Sequence, residues 1–251
     1  MLLKLHNLSK FPLTYKRFNE KAILIAWPSE IKQDILLDVL NFKQKIESDL
    51  RINIQEVRSA YQSLLVTYTT KIFDLLETIN TLKRIYSSDN RFNTIQSRLW
   101  KIPVCYDTCF GLDLEHISNS NDISKNDIIK LHVEATYIIY FIGFLPGFLY
   151  LGGLDERLFI PRKETPRMQI EKGSVAIGGN QTGVYPNASP GGWNIIGNSP
   201  VIFFKPKSET PCFSKAGDRI QFFQVSLKEY EIIKSLVEAG VYNIESEVWY
   251  D

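Results

Sequence analysis

The chain has 251 residues, is 44% apolar, and carries 29 Lys and Arg against 28 Asp and Glu, a formal net charge of +1. This is enough apolar material for one large core or two modest ones. The even charge balance, broken only by short basic clusters such as Lys43 to Lys45, excludes the electrostatic footprint of a nucleic-acid binder. No window approaches the roughly 18 apolar residues needed to span a bilayer, and the N-terminus lacks the apolar core and cleavage signal of a secretory leader. The expectation is a soluble, cytoplasmic protein.

In chain order, Lys21 to Trp27 is an apolar, β-prone run, and Pro28-Ser29 then opens a helical pattern with Ile31, Ile35, Leu36, Val39 and Leu40 on one face, Ser29 as its N-cap. Ser63 to Thr69 predicts a second strand, followed by Ile72, Phe73, Leu75, Leu76 and Ile79 at helical spacing as far as Tyr86. Polar residues from Ser88 to Ser97 mark a boundary between a small α/β domain over 1–90 and a second domain over 98–240. That second domain opens with an extended segment from Leu99 to Tyr106 and a short helix over Phe110 to Ser118. A stronger helix follows from Ser124, with Asp127 three residues on as an acidic capping box. Tyr137 to Ile142, Ser174 to Ile177, Trp193 to Ile196, Val201 to Phe204 and Arg219 to Val225 read as short strands of a barrel or closed sandwich. Ser226 to Ala239 reads as a closing helix.

Cys105, Cys109 and Cys212 are odd in number and without framework spacing, which fits free thiols in a reducing compartment. His6, His116 and His132 are scattered, so neither a metal site nor a Cys-His nucleophilic pair is expected.

Function concentrates between Phe141 and Pro200, which holds 11 of the 14 glycines and 6 of the 11 prolines. Interleaved with Phe144, Phe148, Tyr150, Tyr185 and Trp193, these residues predict stiff loops with aromatic walls around a cleft or an interface. Pro161-Arg162 and Pro166-Arg167 place two guanidiniums on rigid backbone, either gripping a carboxylate or phosphate or pairing with surface acids. Gly178 to Gly183 has P-loop glycine spacing, but Val184 and Tyr185 stand where Lys and Ser/Thr belong, so it is a turn or a backbone cradle in which Gln181 takes part. Gly191-Gly192-Trp193 offers open amides beside an aromatic face, or else a tight hairpin with a buried Trp. Asp113 and Asp218 are candidate acid-base or orienting carboxylates, with turn and cap roles as the alternative, and His132 is a third candidate on a helix near Glu134, with a structural role as its alternative.

The strings FIGFLPGFLYLGGL, PRKETPR, GSVAIGGNQTGVYP and SPGGWNIIG together resemble the signature of the family of the 5-oxoprolinase B subunit, which also takes in Kip-type sporulation kinase inhibitors and subunit 1 of allophanate hydrolase. The resemblance implies an α+β protein: a small N-terminal α/β sandwich followed by a cyclophilin-like β-barrel. It implies partners as well, the homologous barrel-bearing C subunit and the A subunit of 5-oxoprolinase, which together with this chain open the lactam of 5-oxo-L-proline to L-glutamate with ATP as co-substrate. The ATP site would be shared with a partner, and no tightly bound cofactor or metal is implied. On that reading Arg162 or Arg167 binds the substrate carboxylate, Gln181 or the Gly191 and Gly192 amides meet the lactam, and Tyr185 or Trp193 covers the ring. Asp113, Asp218 and His132 stay as catalytic candidates. Where the family reads CYGGEFGPDL, this chain has CYDTCFGLDL, so Cys109 takes the acidic position and Asp107 and Thr108 replace two glycines, while Asp113 is kept. Regulation of a histidine kinase and urea or allophanate metabolism are the alternative functions.

Overall fold

A computed structural model describes residues 11–49, 52–88 and 96–250. The reading of the first ten residues, His6 among them, and that of positions 89–95 lie outside the described residues. The chain divides into two compact units, residues 1–95 and 96–251. No helix among the described residues is long and apolar enough to cross a membrane.

Among the described residues the first unit is a four-stranded antiparallel sheet with two helices. Strands β1 (Thr14–Asn19), β2 (Ala22–Ala26), β3 (Ile54–Ala60) and β4 (Ser63–Tyr68) lie in the order β1-β2-β4-β3. Alternation explains β2 and β4, because Ile23, Ile25, Leu64 and Val66 are fully buried beneath α1 (Gln33–Ser48) and α2 (Leu75–Ser87) while their neighbours are less so. Strand β3 has no apolar alternation to read, because Gln55, Glu56, Arg58 and Ser59 are polar and Val57 alone of its residues is buried. Asp38 of α1 is buried, and its Oδ2 accepts from Trp27 Nε1 and from the Tyr86 hydroxyl, each at 2.7 Å, tying the exit of β2 and the end of α2 to α1. Burial pushes the Asp38 carboxyl above its ordinary range, with these two donors opposing it. Ser29 is not the N-cap of α1. The Pro28 carbonyl accepts from Glu30 N in a tight turn, so the helix starts later, behind Lys32 and without a side-chain cap. Asp74 caps α2, accepting from Glu77 N at 2.9 Å.

The second unit holds ten strands: β5 (Ser97–Val104), β6 (Thr136–Ile142), β7 (Leu149–Gly152), β8 (Arg167–Ile170), β9 (Ser174–Gly178), β10 (Gln181–Val184), β11 (Ser189–Gly191), β12 (Asn194–Asn198), β13 (Arg219–Gln224) and β14 (Ser246–Trp249). Eight form one sheet in the order β12-β9-β10-β7-β6-β13-β5-β14, with β13 and β5 parallel and every other pair antiparallel, while β8 and β11 form a separate flap. Its core is apolar, with Ile102, Tyr137, Ile139, Leu151, Ile177 and Phe222 at most 1% exposed.

The sheet is not a closed barrel among the described residues. Strand β14, from a tail with no strand in the sequence reading, occupies the free edge of β5 at residues 97–100, and only the single bridge between Cys105 and Asn198 joins the far end of β5 to β12. Three α-helices, α3 (Leu114–Asn121), α4 (Lys125–Glu134) and α5 (Leu227–Glu238), and a 3-10 turn at Glu156–Leu158 complete the unit among the described residues. The Ser124 hydroxyl caps α4 through Asp127 N at 3.1 Å, and Ser226 with Glu229 forms a full capping box at α5. Helix α3 starts later than expected because Phe110 N and Gly111 N both donate to Asp107 O, closing a turn first. Val201 to Phe204 is not a strand: Val201 and Phe203 alternate into the core, but the backbone joins no ladder, so burial produced the pattern.

Candidate functional site

The motifs between Phe141 and Pro200 converge on a cavity of about 380 Å³ in the second unit. Phe148, Tyr150, Tyr185 and Trp193 wall it. Phe148 is the hub, with its ring 4.8 Å from Tyr150, 5.2 Å from Tyr185 and 5.5 Å from Trp193, the last two edge to face. Trp193 lies flat on the backbone of β9. A Cβ at Gly178 would stand 2.7 Å from three of its ring atoms, so glycine is needed there for the close approach. Gly191 serves Tyr185 in the same way, since a Cβ would meet its hydroxyl oxygen at 2.3 Å. At the rim Phe144 is 64% exposed and holds φ +67, a backbone strain for a bulky residue of the kind that collects at ligand-facing loops.

The two arginines of the repeated Pro-Arg pair part company. The Arg162 guanidinium sits 5.5 Å from the Trp193 ring centre and lines the cavity, and among the described residues no carboxylate pairs with it. Arg167 instead grips Asp113 bidentately, Nη1 to Oδ2 and Nη2 to Oδ1, both at 2.8 Å. Lys163, which lines the cavity, places Nζ 2.8 Å from the same Oδ1, and Ile195 N donates to Oδ2 at 2.7 Å. Burial pushes the Asp113 carboxyl up, yet Arg167, Lys163 and the Ile195 amide outweigh it and hold the group below the usual carboxylate range. Asp113 precedes α3 but caps no amide with its side chain, because its oxygens are spent on these partners.

The remaining candidates sit as follows. Tyr185, Gly191, Gly192 and Trp193 line the cavity, and the Gly192 carbonyl accepts from Lys163 N at 2.7 Å. Gln181 does not line it: it is buried at the start of β10, opposite Gly178. The glycine-rich segment is a two-residue hairpin turn, with Gly179 at φ +67 and its N–H donating to Ile160 O at 2.7 Å. Asp218 is buried and accepts from Arg98 N, Trp100 Nε1 and Lys215 N at 3.0, 2.9 and 3.1 Å, which ties the start of β5 to the turn before β13.

His132 is wholly buried and stacked on Phe222. The Thr182 hydroxyl donates to Ala176 O at 3.0 Å, so it accepts from His132 Nε2–H at 2.9 Å, and Nδ1 is left to accept from the Tyr106 hydroxyl at 2.7 Å. Burial holds this imidazole down to about 3, neutral and sealed from solvent. Asp107 accepts from Cys109 N at 3.1 Å within its own turn, and the Cys109 thiol is pushed up by burial and by Asp107, opposite to what a nucleophile needs. Lys163 is the site residue that sequence reasoning missed. Its adjacency to Arg162 was visible, but its pairing with the distant Asp113 carboxylate had no local signal.

The carboxyltransferase domain family, subdomains C and D, matches residues 13–214. The chain is 34% identical to the 5-oxoprolinase B subunit of Haemophilus influenzae over 204 residues, 81% of this chain and 94% of that one. It is 44% identical to the Bacillus subtilis 5-oxoprolinase B subunit over 140 residues, 56% of this chain, so that the match spans 58% of that relative's length. Among solved structures, the urea carboxylase of Kluyveromyces lactis superposes on 99% of this chain with a TM-score of 0.80, at 22% identity and over 25% of its own length, a likeness of fold. An uncharacterised protein of Pyrococcus horikoshii, 38% identical, superposes on 86% of this chain and all of its own with a TM-score of 0.51. A family match across most of the chain, joined by a relative matched over nearly its whole length, places this protein in the carboxyltransferase-domain family, subdomains C and D, together with the 5-oxoprolinase B subunit.

Proposed function

We propose that this chain is the B subunit of an ATP-dependent 5-oxoprolinase and that its cavity receives the compact acid 5-oxo-L-proline. The observation that carries the reading is Arg162, a cation without a carboxylate partner among the described residues, set against an aromatic wall in a cavity of the right size. Arg162 takes the substrate carboxylate, Trp193 and Tyr185 cover the ring, and Lys163 faces the lactam. Arg167 is not the carboxylate ligand, because its guanidinium is committed to Asp113. Asp113 and Arg167 position Lys163, and Asp218 and His132 hold the scaffold without touching substrate.

A lactam is a poor electrophile until its oxygen is activated, and ATP supplies that activation. The glycine-rich hairpin at residues 178–181 is spent on its own turn and offers no triphosphate cradle, so the nucleotide site lies with, or is shared by, the C and A subunits. The second unit is, on this reading, a cyclophilin-like barrel left open along β14. Co-purified with the C and A subunits, the Arg162→Met protein assembles normally and loses 5-oxoproline-dependent ATP turnover by at least about a hundredfold, the scale of a lost charge-assisted ligand contact in a desolvated site. Unchanged turnover in that complex overturns the assignment.

A further inference from the structure

A second pocket of about 420 Å³ lies between the C-terminal half of α5 and the turn from β8 to β9, and it shares no residue with the aromatic cavity. Its floor is fixed. Tyr230, the buried residue of α5, is 6% exposed and donates its hydroxyl to Asn198 Oδ1 at 2.9 Å, while Asn198 Nδ2 donates to Lys172 O, also at 2.9 Å. These two bonds tie the helix to the turn and set the spacing of the pocket walls. A Cβ at Gly173 would stand 2.2 Å from Ser199 O, so the turn is pressed onto the floor. Phe110, its ring 4.6 Å from that of Tyr230, adds an aromatic face to the lining.

The walls carry charge that the fold leaves unused. Glu231, Lys234 and Glu238 line the helix side and Glu171 and Lys172 the turn side, and none of the five forms an ion pair among the described residues. Lys234 and Glu238 are four apart on one helix, the spacing and order at which Lys43 pairs with Glu47 and Lys130 with Glu134. Lys234 is also three residues from Glu231, yet it takes neither acid. Three carboxylates against two ammoniums leave the lining with one negative charge, and the carbonyl end of α5 adds to it. Such a lining repels a polyphosphate through its acids and a plain polyamine through its lysines. A ligand with two positive groups and one negative group balances it.

We infer that this pocket binds a free cationic α-amino acid of the arginine class, at a site separate from the aromatic cavity. The ligand guanidinium lies on the Phe110 ring and pairs with Glu231 and Glu238, as a planar fork suits both an aromatic face and carboxylates. The α-carboxylate meets Lys172 and Lys234, and the α-ammonium meets Glu171, so each unused charge of the walls gains a partner.

The test is calorimetric titration of the full chain, at matched ionic strength, with L-arginine, with agmatine, which lacks the carboxylate, and with L-glutamate. Arginine is expected to bind at least about tenfold more tightly than either of the others, a margin set by one charge-assisted contact. The double variant Glu231→Gln, Glu238→Gln weakens arginine at least about tenfold, the loss of its guanidinium contacts. The double variant Lys172→Met, Lys234→Met removes the preference for arginine over agmatine. All four side chains are exposed, and circular dichroism confirms that both variants are folded. Absence of saturable arginine binding, equal affinity for agmatine or glutamate, or an affinity or preference that survives the matching double variant each overturns the inference, and each leaves the reading of the aromatic cavity standing.

Discussion

Removing the Asp113 carboxylate tests the electrostatic logic of the site most directly. The group is 3% exposed and accepts four hydrogen bonds, two from Arg167, one from Lys163 and one from Ile195 N. Deleting one partner of a buried ion pair costs roughly 3–5 kcal/mol. The Arg167 and Lys163 side chains retain 29% and 24% exposure, so water recovers part of that loss and the lower end, about 3 kcal/mol, is expected for Asp113→Ala. Arg167→Met is milder, about 1–2 kcal/mol, because Lys163 and the Ile195 amide still satisfy the carboxylate. Urea unfolding in a Trp27→Phe background reports the second unit alone, since Trp100, Trp193 and Trp249 all belong to it. The pH dependence has a definite sign. A carboxyl held below its ordinary value stabilises the fold above about pH 4, the unfolded value, and loses that contribution as pH falls through the lowered folded value. The Asp113→Ala variant should lack this acid limb. A destabilisation below about 1 kcal/mol, or an Arg167→Met variant weaker than Asp113→Ala, would show that the carboxylate is not the anchor of the two cations.

Three other outcomes are expected. His132, neutral in the fold and held down to about 3, makes the second unit lose stability by about 1.4 kcal/mol per pH unit as pH falls below about 6.5 toward 3; a His132→Gln variant whose acid titration matches the parent would refute this. Gly178→Ala drives a Cβ into the Trp193 ring, so ligand affinity and Trp193 fluorescence change while the β9–β10 ladder persists, and an unaltered emission spectrum would contradict the packing. The exposed Cys109 thiol, pushed up by burial and by Asp107, alkylates with iodoacetamide more slowly at pH 7.5 than a free cysteine, whereas a faster rate would mark an activated thiolate.

What the sequence disclosed follows from range. The apolar run through Ile23 and Ile25, helical spacing at Ile35, Leu36 and Val39, and the Ser124 cap are local, and local pattern decides them. The glycines and aromatics between Phe141 and Pro200 marked the cavity because glycines there answer neighbouring rings, as Gly178 answers Trp193. The sorting of the arginines was invisible. Arg162 and Arg167 share the same local motif, and only the distant Asp113 distinguishes them. Strand β14 and the exposed strand β3 were missed for a related reason, since neither has an alternating apolar face and each is held by partners elsewhere in the chain.

The departure at Asp107-Thr108-Cys109 bears on how this site divides its labour. Those residues form a turn closed on Asp107 O, and none of them lines the cavity. The turn hands the chain through Gly111, where a Cβ would stand 2.4 Å from Leu114 Cδ1 and 3.0 Å from Ile196 O, directly to Asp113. What the segment must deliver is therefore the position of Asp113, and Gly111 and Asp113 are among the residues of the family string retained here. The Asp107 carboxylate braces the turn by accepting from Cys109 N at 3.1 Å. Residues 107–109 lie off the cavity that Arg162 and Lys163 line, so placing Glu at position 109 should change ligand binding there by less than about twofold, inside the usual range for a surface change. A larger gain would mean that an acid at 109 reaches the ligand, and that the site extends beyond the aromatic walls.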